Sequence, residues 1–78
     1  MANMYLKSTI LEVVDNQLKA NEPPVTKATY ERLLALNYTG QQAKEKIAAV
    51  LLGEMYDILK NQELFDEDRY AKNLAELS

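Results

Sequence analysis

The stretch TGQQAKEKIAAVLLGEMYDILK, residues 39–60, gives the clearest indication of how this chain folds. Its apolar residues recur every three or four positions, which is the period of an α-helix. They cover well over half of the helix circumference, and they are Ala43, Ile47, Ala48, Val50, Leu51, Leu52, Met55, Tyr56, Ile58 and Leu59. A helix that is apolar on most sides needs neighbours on several sides. The sequence therefore predicts that residues 40–60 form the central helix of a helical bundle.

The preceding stretch ALNYTGQQA, residues 35–43, has three interpretations: a glycosylation acceptor, a phosphate-binding loop, or a joint between two helices. An N-x-T triplet matters only in a secreted chain, and a phosphate-binding loop needs two glycines and a lysine at a fixed spacing, which this stretch lacks. Asn37 suits the left-handed position after a helix, and Thr39 with Gln42 fits a capping box. We interpret the stretch as a joint.

The remaining boundaries are marked by local signals. Pro24 suits the first turn of a helix, where its missing N–H costs nothing. Asp66 is a suitable N-cap, and Phe65 with Tyr70 fits a hydrophobic staple at the same end. No segment alternates between apolar and polar residues, so no strand is predicted. The predicted fold is all-α, a small bundle of four helices with short connections, at residues 3–20, 24–36, 40–60 and 67–77.

Length and composition indicate one domain, residues 1–78. The chain is 47% hydrophobic, which provides for a core, but it has no cysteine and no histidine. A disulfide and a histidine-ligated zinc site are therefore excluded, and we predict no metal and no cofactor. A domain of this size buries only about 60% of its unfolded surface, so tight helix packing or self-association has to hide the rest.

The charge balance argues against two classes of partner. Nine basic and twelve acidic residues give a net charge of −3, which does not attract a phosphate backbone. No segment approaches the roughly 18 apolar residues that a membrane span needs. Glu12 and Asp15 interrupt the first apolar run, so it does not resemble a secretory signal. These features predict a cytoplasmic protein with neither a nucleic-acid nor a membrane partner.

Three polar residues occupy helix faces that are otherwise apolar: Gln17, Arg32 and Glu54. A carboxylate in a core is unfavourable unless it is paired, and the planar fork of Arg32 suits Glu54. One interpretation is a small polar site for a ligand or for acid–base chemistry. The other is a structural ion pair, or a solvent-facing Glu54. If Glu54 lay at a self-association surface instead, it would pair with Arg32 of another copy.

Part of the chain resembles a pattern found in small, uncharacterised bacterial proteins that are grouped as a domain of unknown function. The matching segments are Val14-Asp-Asn-Gln17-Leu18, Pro23-Pro24, Thr29-Tyr-Glu-Arg32-Leu33, and Ala43 with Ile47. Those proteins commonly carry histidines where this chain has Leu11 and Glu45. The resemblance implies a helical fold and a bacterial cytoplasm. It implies no mechanism, and any activity of those histidines would be absent here.

Together these observations predict a protein that is not an enzyme. The favoured function is a non-catalytic protein–protein interaction or regulatory module, which binds a protein partner or self-associates as a homodimer. The alternative is a small-ligand binder or enzyme that uses the Gln17, Arg32 and Glu54 cluster.

Overall fold

A computed structural model describes the backbone of residues 4–78 and the side chains of residues 7–78. It contains four helices: α1 is Met4–Ala20, α2 is Pro24–Ala35, α3 is Gly40–Asn61 and α4 is Glu67–Ala75. The predicted all-α fold is confirmed, and the described helix ends agree with the prediction to within two residues. The predicted start of the first helix at Asn3 lies outside the described residues. Between residues 4 and 78 there is no strand, as predicted.

The predicted central position of α3 is confirmed, because α3 contacts each of the other three helices. The core is made of buried side chains from all four helices: Ile10, Val14, Leu33, Ala43, Ile47, Ala48, Leu51, Tyr70 and Leu74. In the described part of the chain, no helix has both the length and the apolar character that a membrane span requires.

The joint between α2 and α3 has the predicted capping geometry. The Thr39 hydroxyl accepts a hydrogen bond from the Gln42 backbone N–H at 3.1 Å, and the Gln42 side-chain oxygen accepts from the Thr39 N–H at 3.0 Å. Two N–H groups that the helix leaves free are thereby satisfied. Asn37, just before the cap, has a left-handed backbone with φ 74°. The stretch therefore ends one helix and begins the next.

Helices α2 and α4 also begin as predicted. Pro24 occupies the first turn of α2. At the start of α4 the Asp66 carboxylate accepts from the Arg69 backbone N–H at 3.0 Å. The ring centroids of Phe65 and Tyr70 lie 5.5 Å apart, which forms the hydrophobic staple. These contacts fix where α4 starts and bring its buried residues onto α2 and α3.

Candidate functional site

The three predicted polar residues are not hydrogen-bonded to one another among the described side chains. Each one instead bonds to α4 or to a residue that flanks it. Glu54 binds the beginning of α4, Gln17 binds its middle through Tyr70, and Arg32 binds its end. Polar residues on the apolar faces of α1, α2 and α3 thus each help to hold the shortest helix in place.

Glu54 is fully buried, with 1% of its surface exposed, and its partner is Arg69. The predicted pairing of Glu54 with Arg32 is wrong. Arg69 Nε lies 2.8 Å from Glu54 Oε1, and Arg69 Nη2 lies 2.7 Å from Oε2, which is a two-point contact. The Asp66 backbone N–H also donates to Oε2 at 3.2 Å. The Arg69 hydrogen bonds lower the pKa of Glu54 although burial acts in the opposite direction. The carboxylate is therefore charged and fully bonded.

Arg69 is the functional partner that the sequence reasoning missed. It lies in the first turn of α4, where a cation is unfavourable because the helix dipole is positive at that end. That position could have indicated an ion pair from sequence, because an arginine placed there needs an anion from another element. Arg69 has two such anions, since its Nη1 also lies 3.1 Å from Glu63 Oε2.

Gln17 joins three helices through a small buried group of hydroxyls. Its Oε1 accepts from the Thr26 hydroxyl at 2.8 Å and from the Tyr70 hydroxyl at 3.1 Å. The side chains of Thr26 and Tyr70 are both fully buried. Burial raises the pKa of Tyr70 above its ordinary value, so the phenol stays protonated and keeps donating. Gln17 therefore ties α1 to α2 and α4.

Arg32 is exposed on α2 and caps the end of α4. Its Nη1 donates to the Leu77 carbonyl at 2.7 Å, and its Nη2 donates to the Leu74 carbonyl at 2.9 Å. A cation at the negative end of a helix dipole is favourable. The Leu74 carbonyl also accepts from the Leu77 backbone N–H at 3.1 Å. Nearby, the Tyr38 hydroxyl donates to the Ser78 carbonyl at 2.7 Å.

These contacts leave little capacity for chemistry in the predicted cluster. Among residues 7–78, every buried side-chain polar atom has a hydrogen-bond partner. The same residues contain no group of three or more histidine, cysteine or acidic side chains placed to hold a metal ion. Two open grooves lie elsewhere on the molecule, and neither is lined by Gln17, Arg32 or Glu54.

The open surface of α3 carries three of the large apolar side chains that are exposed outside the core. We define the α3 face as Ala49, Leu52, Tyr56 and Leu59, whose spacing of three and four residues places them on one side of the helix. Leu52 is 40% exposed, Tyr56 65% and Leu59 79%. The other helices cover the remaining sides of α3. This one apolar stripe faces solvent.

Grooves border the α3 face on both sides. Groove 1 lies between α1 and α3, has a volume of about 400 Å³, and is lined mainly by apolar residues: Lys7, Ile10, Leu11, Glu45, Ala48, Ala49 and Leu52. Groove 2 lies between α3 and α4, has a volume of about 690 Å³, and is lined by Ala49, Val50, Leu52, Gly53, Tyr56, Asp57, Asn73, Glu76 and Leu77. Leu52 lies at the border of both grooves. The α3 face is therefore a raised strip with groove 1 on one side and groove 2 on the other.

Charged side chains stand at the two ends of this surface. Glu45, one turn before Ala49, accepts from Gln41 Nε2 at 3.2 Å and lies 3.3 Å from Lys7 Nζ. These two partners lower the pKa of its carboxyl. At the other end, Lys60 follows Leu59 and is exposed. Within the described side chains Lys60 forms no ion pair.

No protein-family model matches the chain, and no curated protein and no solved structure is significantly similar to it. The resemblance to the bacterial domain of unknown function therefore stays a prediction. Function has to be inferred from the residues of this chain.

Proposed function

We propose that this protein is a non-catalytic protein–protein interaction or regulatory module that docks its partner on the α3 face. The observation that supports this is the solvent exposure of Leu52, Tyr56 and Leu59 along one helix of a small protein. Isolated exposed apolar residues are ordinary, but a contiguous apolar stripe with polar ends is typical of an interaction surface.

The form of the surface favours a helix or a strip of apolar side chains as the occupant. The grooves are open along α3 and are not enclosed, whereas sites for small molecules usually bury most of the ligand. Tyrosine at the centre of such a surface is also favourable, because it offers a large contact area with few rotatable bonds.

The alternative function, a ligand site or active site built on Gln17, Arg32 and Glu54, has weaker support. Glu54 is sealed beneath Arg69, and the oxygen of Gln17 accepts two hydrogen bonds from buried hydroxyls. The Glu54 carboxylate and the Gln17 side-chain oxygen are therefore already hydrogen-bonded within the protein.

The proposed function is tested with a double variant of the face, Leu52→Glu with Tyr56→Glu. Both side chains are exposed, so the variant is expected to fold, which circular dichroism and thermal unfolding check. Immobilised wild-type protein is expected to retain one protein in stoichiometric amount from extracts of its source cells, identified by mass spectrometry. The variant is expected to lose it.

Leu36→Glu is the matched control, because Leu36 is 50% exposed but lies at the end of α2, away from both grooves. It is expected to retain the partner. Equal retention by the face variant and by the wild type would contradict the proposed docking surface.

A further inference from the structure

We propose that the partner on the α3 face is a second copy of this chain, with the two α3 helices antiparallel about a two-fold axis between Leu52 and Gly53. This inference rests on the proposed function and names its partner. Two observations support it: the shape of the α3 face and the charged residues at its two ends.

The shape is complementary to itself. Leu52 and Tyr56 form a raised row on α3, and Ala49 and Gly53 form a low row beside it, at the edge of groove 2. A Cβ atom added at Gly53 would have no atom within 4 Å, so the low row is open. Rows of side chains four residues apart pack into the grooves of a facing helix. About this axis, the raised row of each copy packs on the low row of the other.

The same axis matches the residues in size. Positions equally distant from the axis face each other in an antiparallel pair. Tyr56 then faces the partner's Ala49, and Leu52 faces the partner's Gly53. Each large side chain meets a small one, which lets the two helices approach closely. A two-fold axis creates each of these contacts twice and closes the assembly at two copies.

The charges select the antiparallel direction. Glu45 and Lys60 are equally distant from the axis, and the helix rise places them about 22 Å apart on each copy. In the antiparallel pair, Glu45 faces the partner's Lys60 at both ends of the interface. Glu45 keeps 42% of its side chain exposed beside Lys7, so it can accept a second cation. In a parallel pair each of these residues would face its own copy, and like charges would meet.

Charge exchange tests the pairing. Glu45→Lys and Lys60→Glu are each expected to weaken dimerisation by about tenfold or more, because each change creates two repulsive contacts. The combined variant Glu45→Lys, Lys60→Glu is expected to recover the wild-type dimer to within about threefold, by the same pairwise reasoning. Sedimentation equilibrium from micromolar to millimolar protein measures the constants. Lys27→Glu, an exposed change on α2, is the control for Lys60→Glu, because both change the net charge by the same amount.

Cross-linking tests the position of the axis. The chain has no cysteine, so a single Gly53→Cys change gives one reactive group beside the axis. A short bis-maleimide is expected to link Gly53→Cys protein into covalent dimers, whereas Ala28→Cys on the exposed side of α2 is expected to stay monomeric.

A wild-type protein that stays monomeric and does not cross-link through Gly53→Cys would overturn the second-copy proposal. Single charge variants that dimerise as strongly as the wild type, or equal cross-linking from Ala28→Cys, would overturn the antiparallel arrangement. The proposed function fails separately. If the wild type is monomeric but captures a different protein that the Leu52→Glu, Tyr56→Glu variant loses, the docking surface stands and only the identity of its partner is wrong.

Discussion

Gly53 lies in the interior of α3, where glycine lowers helix stability because it loses the most backbone freedom on folding. The open space around its Cβ position makes alanine compatible with the fold. Gly53→Ala is therefore expected to raise the free energy of unfolding by about 0.5–1 kcal/mol. Urea unfolding at low protein concentration, which disfavours self-association, measures this. A lower free energy of unfolding would contradict it.

Gly40→Ala is the comparison for that experiment. A Cβ atom at Gly40 would lie 2.8 Å from the Tyr30 hydroxyl, so this side chain has to shift to make room. The gain in helix propensity is then offset by the displaced hydroxyl, and the free energy of unfolding is expected to rise by less than for Gly53→Ala.

Glu54 determines part of the acid stability. Its pKa is lowered in the folded protein, mainly by the hydrogen bonds from Arg69. The stabilisation is therefore present above the unfolded pKa of about 4.3 and is lost as the pH falls through the lower folded value. Glu54→Gln is expected to reduce the free energy of unfolding at neutral pH by about 1–3 kcal/mol. It should also flatten the decline in stability below the unfolded pKa.

Urea unfolding across the acid range measures both effects of Glu54→Gln. Glu12→Gln, a change of the same kind at an exposed position of α1, is the control and is expected to leave the wild-type pH dependence in place. A Glu54→Gln protein with the same acid slope as the wild type would show that this carboxylate is not the group responsible.

At the scale of single residues, the sequence predicted which polar side chains are unusual but not what they contact. Gln17 and Glu54 were identified because they interrupt apolar helix faces. The partner of Glu54 depends on which helix covers that face of α3, and helix order alone does not determine it. The contact between Glu54 and Arg69 depends on how α3 and α4 pack. The only sequence signal for it was the unfavourable position of Arg69 in the first turn of its helix.

Among the elements, α4 depends most on contacts with its neighbours. It has 9 residues, too few for a stable isolated helix. Its apolar contacts come from Tyr70 and Leu74, both fully buried, and its polar contacts come from the other three helices. These polar contacts lie at different points along α4, so loss of one contact is expected to weaken the nearest part of α4 first.

Arg32→Met tests the contact at the end of α4. Methionine keeps the length of the side chain but cannot donate to the Leu74 and Leu77 carbonyls. We expect the free energy of unfolding to fall by about 0.5–1 kcal/mol, the usual effect of a cation at this end of a helix. Amide hydrogen exchange should become faster in the last turn of α4.

Arg32→Lys is the partial variant for the same contact. It keeps the charge but lacks the fork that reaches two carbonyls, so its exchange rates are expected to lie between those of Arg32→Met and the wild type. Unchanged exchange in α4 after Arg32→Met would show that Arg32 does not stabilise this end.

The helices themselves were accessible from sequence because their ends carry local chemistry. Thr39 with Gln42, Pro24, and Asp66 with Phe65 each mark a boundary through contacts within a few residues. The apolar pattern predicted neighbours on several sides of α3, but it did not predict which side of the helix would stay open. Three other helices are too few to cover this one along its full length, and the α3 face is what they leave exposed.

For the whole molecule, the connections of α4 imply that the four helices unfold together. Removal of residues 66–78 would remove Tyr70 and Leu74 from the core and would leave Glu54 without Arg69. The shortened chain is expected to lose its cooperative thermal transition, measured by circular dichroism. A domain with a core of this size has only a small free energy of unfolding. A synthetic peptide of residues 66–78 added in excess is expected to restore part of the helical signal. A sharp transition in the shortened chain alone would contradict this prediction.

The position of the grooves has a practical consequence for labelling. Lys7 lines groove 1, and Glu76 and Leu77 line groove 2, so both ends of the described chain lie beside the α3 face. A bulky label on Glu76, an exposed residue of groove 2, would lie at the edge of the proposed docking surface and is expected to obstruct it. Since α2 lines neither groove, a reporter dye on a single cysteine at Ala28 would leave that surface accessible.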